Sequence, residues 1–116
     1  MARFLLWNIN RRPLEGLVVR LVQQHKVDVV VLVERPASDG VLLQALQTIG
    51  LYARVESHER FGVYTRLGPT SFTRLTPPVQ DDRTDIWKVR PRASTEILLV
   101  AVHGLDRRNY SEEGRS

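Results

Sequence analysis

Apolar positions follow two regimes along the chain. In residues 3–9, Phe4 and Leu6 alternate with Leu5, Trp7 and Ile9, so both faces of the predicted strand are apolar. Leu14, Leu17, Val18, Leu21 and Val22 then recur at i, i+3, i+4, i+7 and i+8, with Arg20, Gln23 and Gln24 opposite them. That spacing predicts one amphipathic helix over 13–25, with Pro13 in a first turn that needs no amide hydrogen from it. Next comes Asp28-Val-Val-Val-Leu-Val33, a continuous β-branched run that predicts a strand buried on both faces. Strand, helix and strand within about 30 residues make a βαβ unit, whose crossover sets the two strands parallel. A second helix is expected from Ser38 as N-cap through Leu42, Ala45, Leu46 and Ile49, with Gly50 as its left-handed stop.

Beyond residue 50 the helical period disappears. Short strands are expected at Leu51–Glu56, Phe61–Arg66, Ser71–Leu75, Asp85–Arg90 and Glu96–His103, separated by Gly68-Pro69, Pro77-Pro78 and Pro91. Residues 76–84 read as an exposed loop. The pattern predicts one domain over 1–105 and a loose tail over 106–116.

Composition narrows the class without naming a function. Of 116 residues, 42% are hydrophobic and 26% charged, which suits a globular domain and excludes a disordered or collagen-like chain. Without cysteine there is no disulfide scaffold, thiolate zinc site or cysteine nucleophile. The longest apolar run, Val29 to Val33, is far short of the ~20 residues that span a bilayer, so no membrane association is expected. Polar Asn8, Asn10, Arg11 and Arg12 interrupt the N-terminal stretch where a signal peptide would stay apolar, and a cytoplasmic location is expected. Net charge is +4, and 15 of the 17 basic residues are arginine, a balance that favours polyanionic partners. Residues 1–58 hold seven basic and five acidic side chains against ten and eight in 59–116, so the excess is spread like surface composition.

The candidate chemistry sits at strand ends. Asn8 and Glu34 each follow an apolar strand, and in a parallel pair both project from the carboxyl edge where open α/β sheets place ligands. A carboxylate after five aliphatic residues is costly to desolvate unless paired or bound to a cation. Glu and Asn offer oxygen acceptors, which suit a hard ion such as Mg²⁺, whereas the plainer alternative has Glu34 in water or paired with Arg35. His103 ends the apolar strand Ile97–Val102 and joins Asn8 and Glu34 if that strand is parallel to the first two. There an imidazole can orient or protonate a phosphate oxygen; otherwise it is a structural hydrogen-bonder. Glu59, ahead of Phe61-Gly-Val-Tyr-Thr-Arg66, is one of several carboxylates able to hold that imidazole in one tautomer. His25 and His58 read as surface residues.

These segments carry a resemblance. Phe4-Leu-Leu-Trp-Asn-Ile-Asn10, a helix, and Asp28-Val-Val-Val-Leu-Val-Glu34 resemble the opening of the endonuclease/exonuclease/phosphatase superfamily, with its DNase I-like fold. Gly62-Val-Tyr-Thr-Arg66 and Val100-Ala-Val-His-Gly-Leu105 are similar to its later strands, in the same order and spacing. The resemblance implies half of a DNase I-like α/β sandwich, with a mixed sheet and two helices on one face. It implies hydrolysis of phosphodiester or phosphomonoester bonds with Mg²⁺ or Mn²⁺, nucleic acid being one candidate substrate. Glu34 is then a metal ligand, Asn8 helps place metal and phosphate, His103 contacts the scissile phosphate and Glu59 orients His103.

The departures are as informative. The family's Asp-x-Asn motif and terminal Asp-His pair do not occur here, and the resemblance stops at residue 105. Expected, therefore, is an N-terminal half that turns over little alone, with one apolar sheet face left for a missing second half or a homo-oligomeric partner. The alternative is a non-catalytic polyanion-binding or assembly module that reuses the half-fold.

Overall fold

The computed structural model describes residues 2–10, 12–34, 39–78 and 83–103. Its elements run β1 (Phe4–Asn8), α1 (Glu15–His25), β2 (Val29–Val33), α2 (Asp39–Gln47), β3 (Ala53–Val55), β4 (Phe61–Thr65), β5 (Phe72–Leu75), β6 (Thr84–Arg92) and β7 (Thr95–Val102), with one 3₁₀ turn, Pro69–Ser71, before β5. β1 and β2 are parallel, with Phe4 opposite Val29 and Asn8 opposite Val33, as a βαβ crossover requires. β4 adds antiparallel to β2, and β3 antiparallel to β4, giving the order β1-β2-β4-β3. The remaining strands form a separate antiparallel sheet, β5-β6-β7.

Local details depart from the periodicity where backbone chemistry intervenes. Pro13 precedes Leu14, the N-cap of α1, so it lies ahead of the helix rather than in its first turn. The helix ends at Lys26, which takes the left-handed conformation (φ 52°) while Val27 N–H donates back to Val22 O (3.0 Å). Gly50 is not the left-handed stop expected for α2; the helix runs out through three-residue bonds from Thr48 N to Ala45 O and Ile49 N to Leu46 O. Glycine is needed there for closeness, because a Cβ would lie 2.8 Å from the Tyr52 ring. The expected N-cap Ser38 and the tail 106–116 lie outside the described residues. β6 runs through Pro91, where a register shift between Val89 and Arg92 spares the proline a ladder bond.

Sheet one is buried twice. On one face, Val30, Leu32 and Tyr64 pack with Val18 and Val22 of α1 and Leu42 and Leu46 of α2. On the other, Val29, Val31, Phe61 and Val63 pack against Trp87, Val89, Leu99 and Ala101 of the second sheet. This corrects the expectation that this face lacks a cover: β6 and β7 turn Trp87, Val89, Leu99 and Ala101 inward, and the chain's own second sheet lies over it. Among the described strand residues, large apolar side chains stay exposed at Leu6 on β1 and at Leu98, Val100 and Val102 on the outer face of β7.

The amino end of β2 is tied by polar bonds. Asp28 accepts from Arg66 Nε (2.7 Å) and from the Arg3 amide (2.8 Å), so this acid is a staple at the edge opposite Glu34. Nearby, the buried Tyr52 hydroxyl donates to Val27 O (2.5 Å). Burial pushes the phenol above its ordinary value near 10, with Arg66 pulling it down and Asp28 raising it further. A raised phenol pKa means stability that is present below pH ~10 and lost as pH rises through the folded value. Tyr52→Phe is expected to cost about 1–3 kcal/mol at neutral pH, because Val27 O loses its donor, and to flatten the alkaline decline measured by denaturant titration from pH 8 to 11. Trp87→Ala, which empties the centre of the inter-sheet core, is expected to cost about 3–5 kcal/mol in the same assay.

Candidate active site

β2 delivers Glu34, and the backbone decides where it points. Val29, Val31 and Val33 face the second sheet while Val30 and Leu32 face the helices, so continued alternation would send Glu34 toward the helices. Instead Glu34 has a positive φ of 56°, a conformation that few residues other than glycine adopt. The amide of this strained residue donates to Arg60 O (2.7 Å) in the turn before β4. The side chain is thereby turned to the second sheet, where its Oε1 lies 2.5 Å from His103 Nε2.

His103 arrives by ordinary alternation. Leu99 and Ala101 point inward from β7, and the next inward position is 103. Its amide donates to Arg83 O (2.7 Å), and its side chain is 10% exposed against 24% for Glu34. Nδ1 is buried without a hydrogen-bond partner among the described residues. A buried imidazole with one nitrogen engaged and the other unpaired is an unusual expense in a purely structural role. The two residues meet across two different sheets, not within one parallel layer: β7 belongs to the second sheet and reaches Glu34 because its end lies over the end of β2.

Asn8 ends β1 one strand away, in register with Val33. It shares the inter-sheet side with Phe4 and Leu6 by alternation, and its Oδ1 accepts from the Asn10 amide (3.0 Å), where Asn10 is itself left-handed (φ 51°). Thus Asn8 stands at the same edge as Glu34 and His103, without a direct bond between them among the contacts described. Glu59 is exposed in the turn before β4 and is not the carboxylate on His103; Glu34 occupies that position. A turn at the strand's entry leaves Glu59 facing outward, whereas the twist at Glu34 brings a nearer carboxylate.

The oxygen donors fit a hard cation in kind. Mg²⁺ keeps several waters and uses one or two carboxylates beside substrate phosphates, and Glu34 with Asn8 offers one carboxylate and one amide oxygen. Among the described residues no three His, Asp or Glu side chains form a metal cage.

A second polar cluster lies beside the pair and was missed in the sequence. Asp85, with its side chain 2% exposed, accepts from Arg74 Nε (2.9 Å) and Nη2 (3.1 Å) and from the His58 amide (2.6 Å). His58 is half-buried rather than a surface residue: its ring stands edge-on to Phe61, and its Nδ1 accepts a long bond from the Arg60 amide (3.4 Å). Both residues line an open cavity of about 410 Å³ with Arg74, Thr76 and Thr84. The signal was present in β6, where Asp85, Trp87 and Val89 share the inward phase; an acid at an inward position demands donors. His25, by contrast, is exposed as expected.

No protein-family model matches the chain, and no curated protein matches it. Solved structures do. The endonuclease domain of TRAS1, a telomere-specific non-LTR retrotransposon, is similar with a TM-score of 0.55 and 12% identity, over 98% of this chain and 52% of that one. An endonuclease/exonuclease/phosphatase family protein from Leptotrichia buccalis is similar with a TM-score of 0.56 and 12% identity, over 93% of this chain and 55% of that one. This chain spans about half the length of both. No helix among the described residues is long and apolar enough to cross a membrane. The parallel β1–β2 pair, the two stacked sheets and the paired helices make a partial DNase I-like fold, similar to that of endonuclease/exonuclease/phosphatase proteins.

Proposed function

We propose that this chain is a nuclease-like phosphoesterase unit whose working edge is formed by Glu34, His103 and Asn8. The observation that carries the reading is Glu34, held in a left-handed conformation so that its carboxylate meets a nearly buried histidine from the other sheet. In this reading Glu34 and Asn8 hold Mg²⁺ or Mn²⁺, and His103, bonded to Glu34 through Nε2, orients that carboxylate beside the phosphate. The bound ion supplies neutralisation of phosphate charge. One similar structure is an endonuclease domain and the other an endonuclease/exonuclease/phosphatase family protein by title, which supports a phosphoester substrate, nucleic acid being one candidate. Residues for water activation are not among those gathered here. We therefore include a second structural half in the proposal, seated on the exposed apolar positions Leu6, Leu98, Val100 and Val102, because both relatives are about twice as long. The unit is expected to be cytoplasmic and only weakly active without that half.

A polyanion-binding module is the competing reading, and arginine pairing weighs against it. Arg66 is engaged by Asp28, Arg74 by Asp85, Arg90 by Glu96, and Arg3 and Arg12 by backbone carbonyls. The test is Mn²⁺ binding by electron paramagnetic resonance, with hydrolysis of bis(p-nitrophenyl) phosphate and plasmid DNA alongside. Glu34→Gln is expected to weaken Mn²⁺ binding at least about tenfold, and His103→Ala to lower the residual hydrolysis about 10²-fold. A chain that binds no Mn²⁺ and cleaves neither substrate overturns the proposal. Salt-sensitive DNA binding indifferent to both substitutions and to EDTA also overturns it, in favour of the module.

A further inference from the structure

We infer that Asp85 is a positioning residue for Glu34, acting through the turn 57–61 rather than on substrate. The inference rests on Glu34 and His103 being the working pair, and it follows a continuous chain of bonds. Asp85 is buried in β6 and grips the His58 amide (2.6 Å), while Arg74 saturates both carboxylate oxygens. From His58 the turn closes on itself: Phe61 N donates to His58 O (2.9 Å), and the Ser57 hydroxyl donates to Phe61 O (2.9 Å). At the tip, Arg60 O receives the Glu34 amide (2.7 Å). That last bond holds the backbone at the one residue whose positive φ sends the carboxylate to His103.

The root of the turn is braced from the same strand. Trp87, two residues beyond Asp85 and fully buried, donates its indole N–H to Glu56 O (3.1 Å). β6 thus holds the turn at two points, one by a neutral hydrogen bond and one by an ionic one. The ionic point is the stiffer, because an ionised acceptor with three donors holds its partners more strongly than neutral groups do. Arg74 is tied to Asp85 and, at 3.4 Å, to Glu56, so this guanidinium serves the carboxylate rather than a phosphate. A left-handed glutamate relaxes to an ordinary strand conformation once its amide is released, and alternation then carries its side chain to the helix face.

Amide hydrogen exchange, followed by NMR on the metal-free chain, reads this directly and requires no activity. In Asp85→Ala the Glu34 and His58 amides are expected to exchange about tenfold faster, while Val30 and Val63 at the centre of the first sheet keep their protection. Asp85→Asn retains an acceptor for the His58 amide and is expected to restore part of the protection at both sites; it also serves where the alanine variant does not fold. Equal loosening of all amides, or loosening at His58 with Glu34 unchanged, overturns the inference by reducing Asp85 to a stability role. In a chain that hydrolyses bis(p-nitrophenyl) phosphate, Asp85→Asn is further expected to lower kcat about tenfold with KM unchanged. A wild-type chain without metal binding or hydrolysis counts against the proposed function, and leaves the exchange result to decide the role of Asp85.

Discussion

β2 and β4 are buried on both faces, and the rest of the molecule answers that constraint. Five aliphatic residues in a row cannot be satisfied by one layer, so the helices cover one side and a second sheet the other. Each layer is supplied by a different stretch of chain: the crossover segments provide the helices, and residues 72–102 provide the sheet. The double burial also accounts for the site. A second sheet stacked on the first brings the end of β7 over the end of β2, and only that superposition lets His103 reach Glu34.

The two ends of β2 show how similar acids acquire different work. Asp28 meets Arg66 and the Arg3 amide at the amino edge, and its charge is consumed in tying the strands together. Glu34 at the carboxyl edge has a single protein partner on its carboxylate among the contacts described, a histidine, and sits on strained backbone. Strain of this kind costs roughly 1–3 kcal/mol and persists only when the surroundings impose it. Here the surroundings are the turn before β4 and, behind it, a buried ion pair in β6. Rigid support from Asp85 and Trp87 is what a charged group needs if it is to face a ligand in one orientation.

Much of the fold was legible from periodicity, because burial leaves a period in the sequence. The αi/i+3/i+4 stripe of α1 and the unbroken valines of β2 state how many faces must be covered, and the βαβ unit follows from their order. Errors arose where a close approach or a backbone bond overrides propensity. Gly50 answers the Tyr52 ring rather than a left-handed turn, and Pro91 sits in a register shift instead of ending its strand. The cover over the first sheet is not legible in the pattern, because five short strands after residue 50 do not announce whether they extend that sheet or build another.

The site divides along the same line. Asn8, Glu34 and His103 could be singled out by sequence alone, since each is a polar residue set at the end of an apolar strand, and strand ends are where sheets meet solvent. Which carboxylate meets the imidazole could not: side-chain phase along β2 points Glu34 away from His103, and only a left-handed residue braced by Arg60 O reverses it. The choice of Glu34 over Glu59, the burial of Asp85 and the inward turn of His58 were all decided by contacts between segments distant in the chain. Periodicity records which face of an element is buried, but a bond between two turns leaves no period to read.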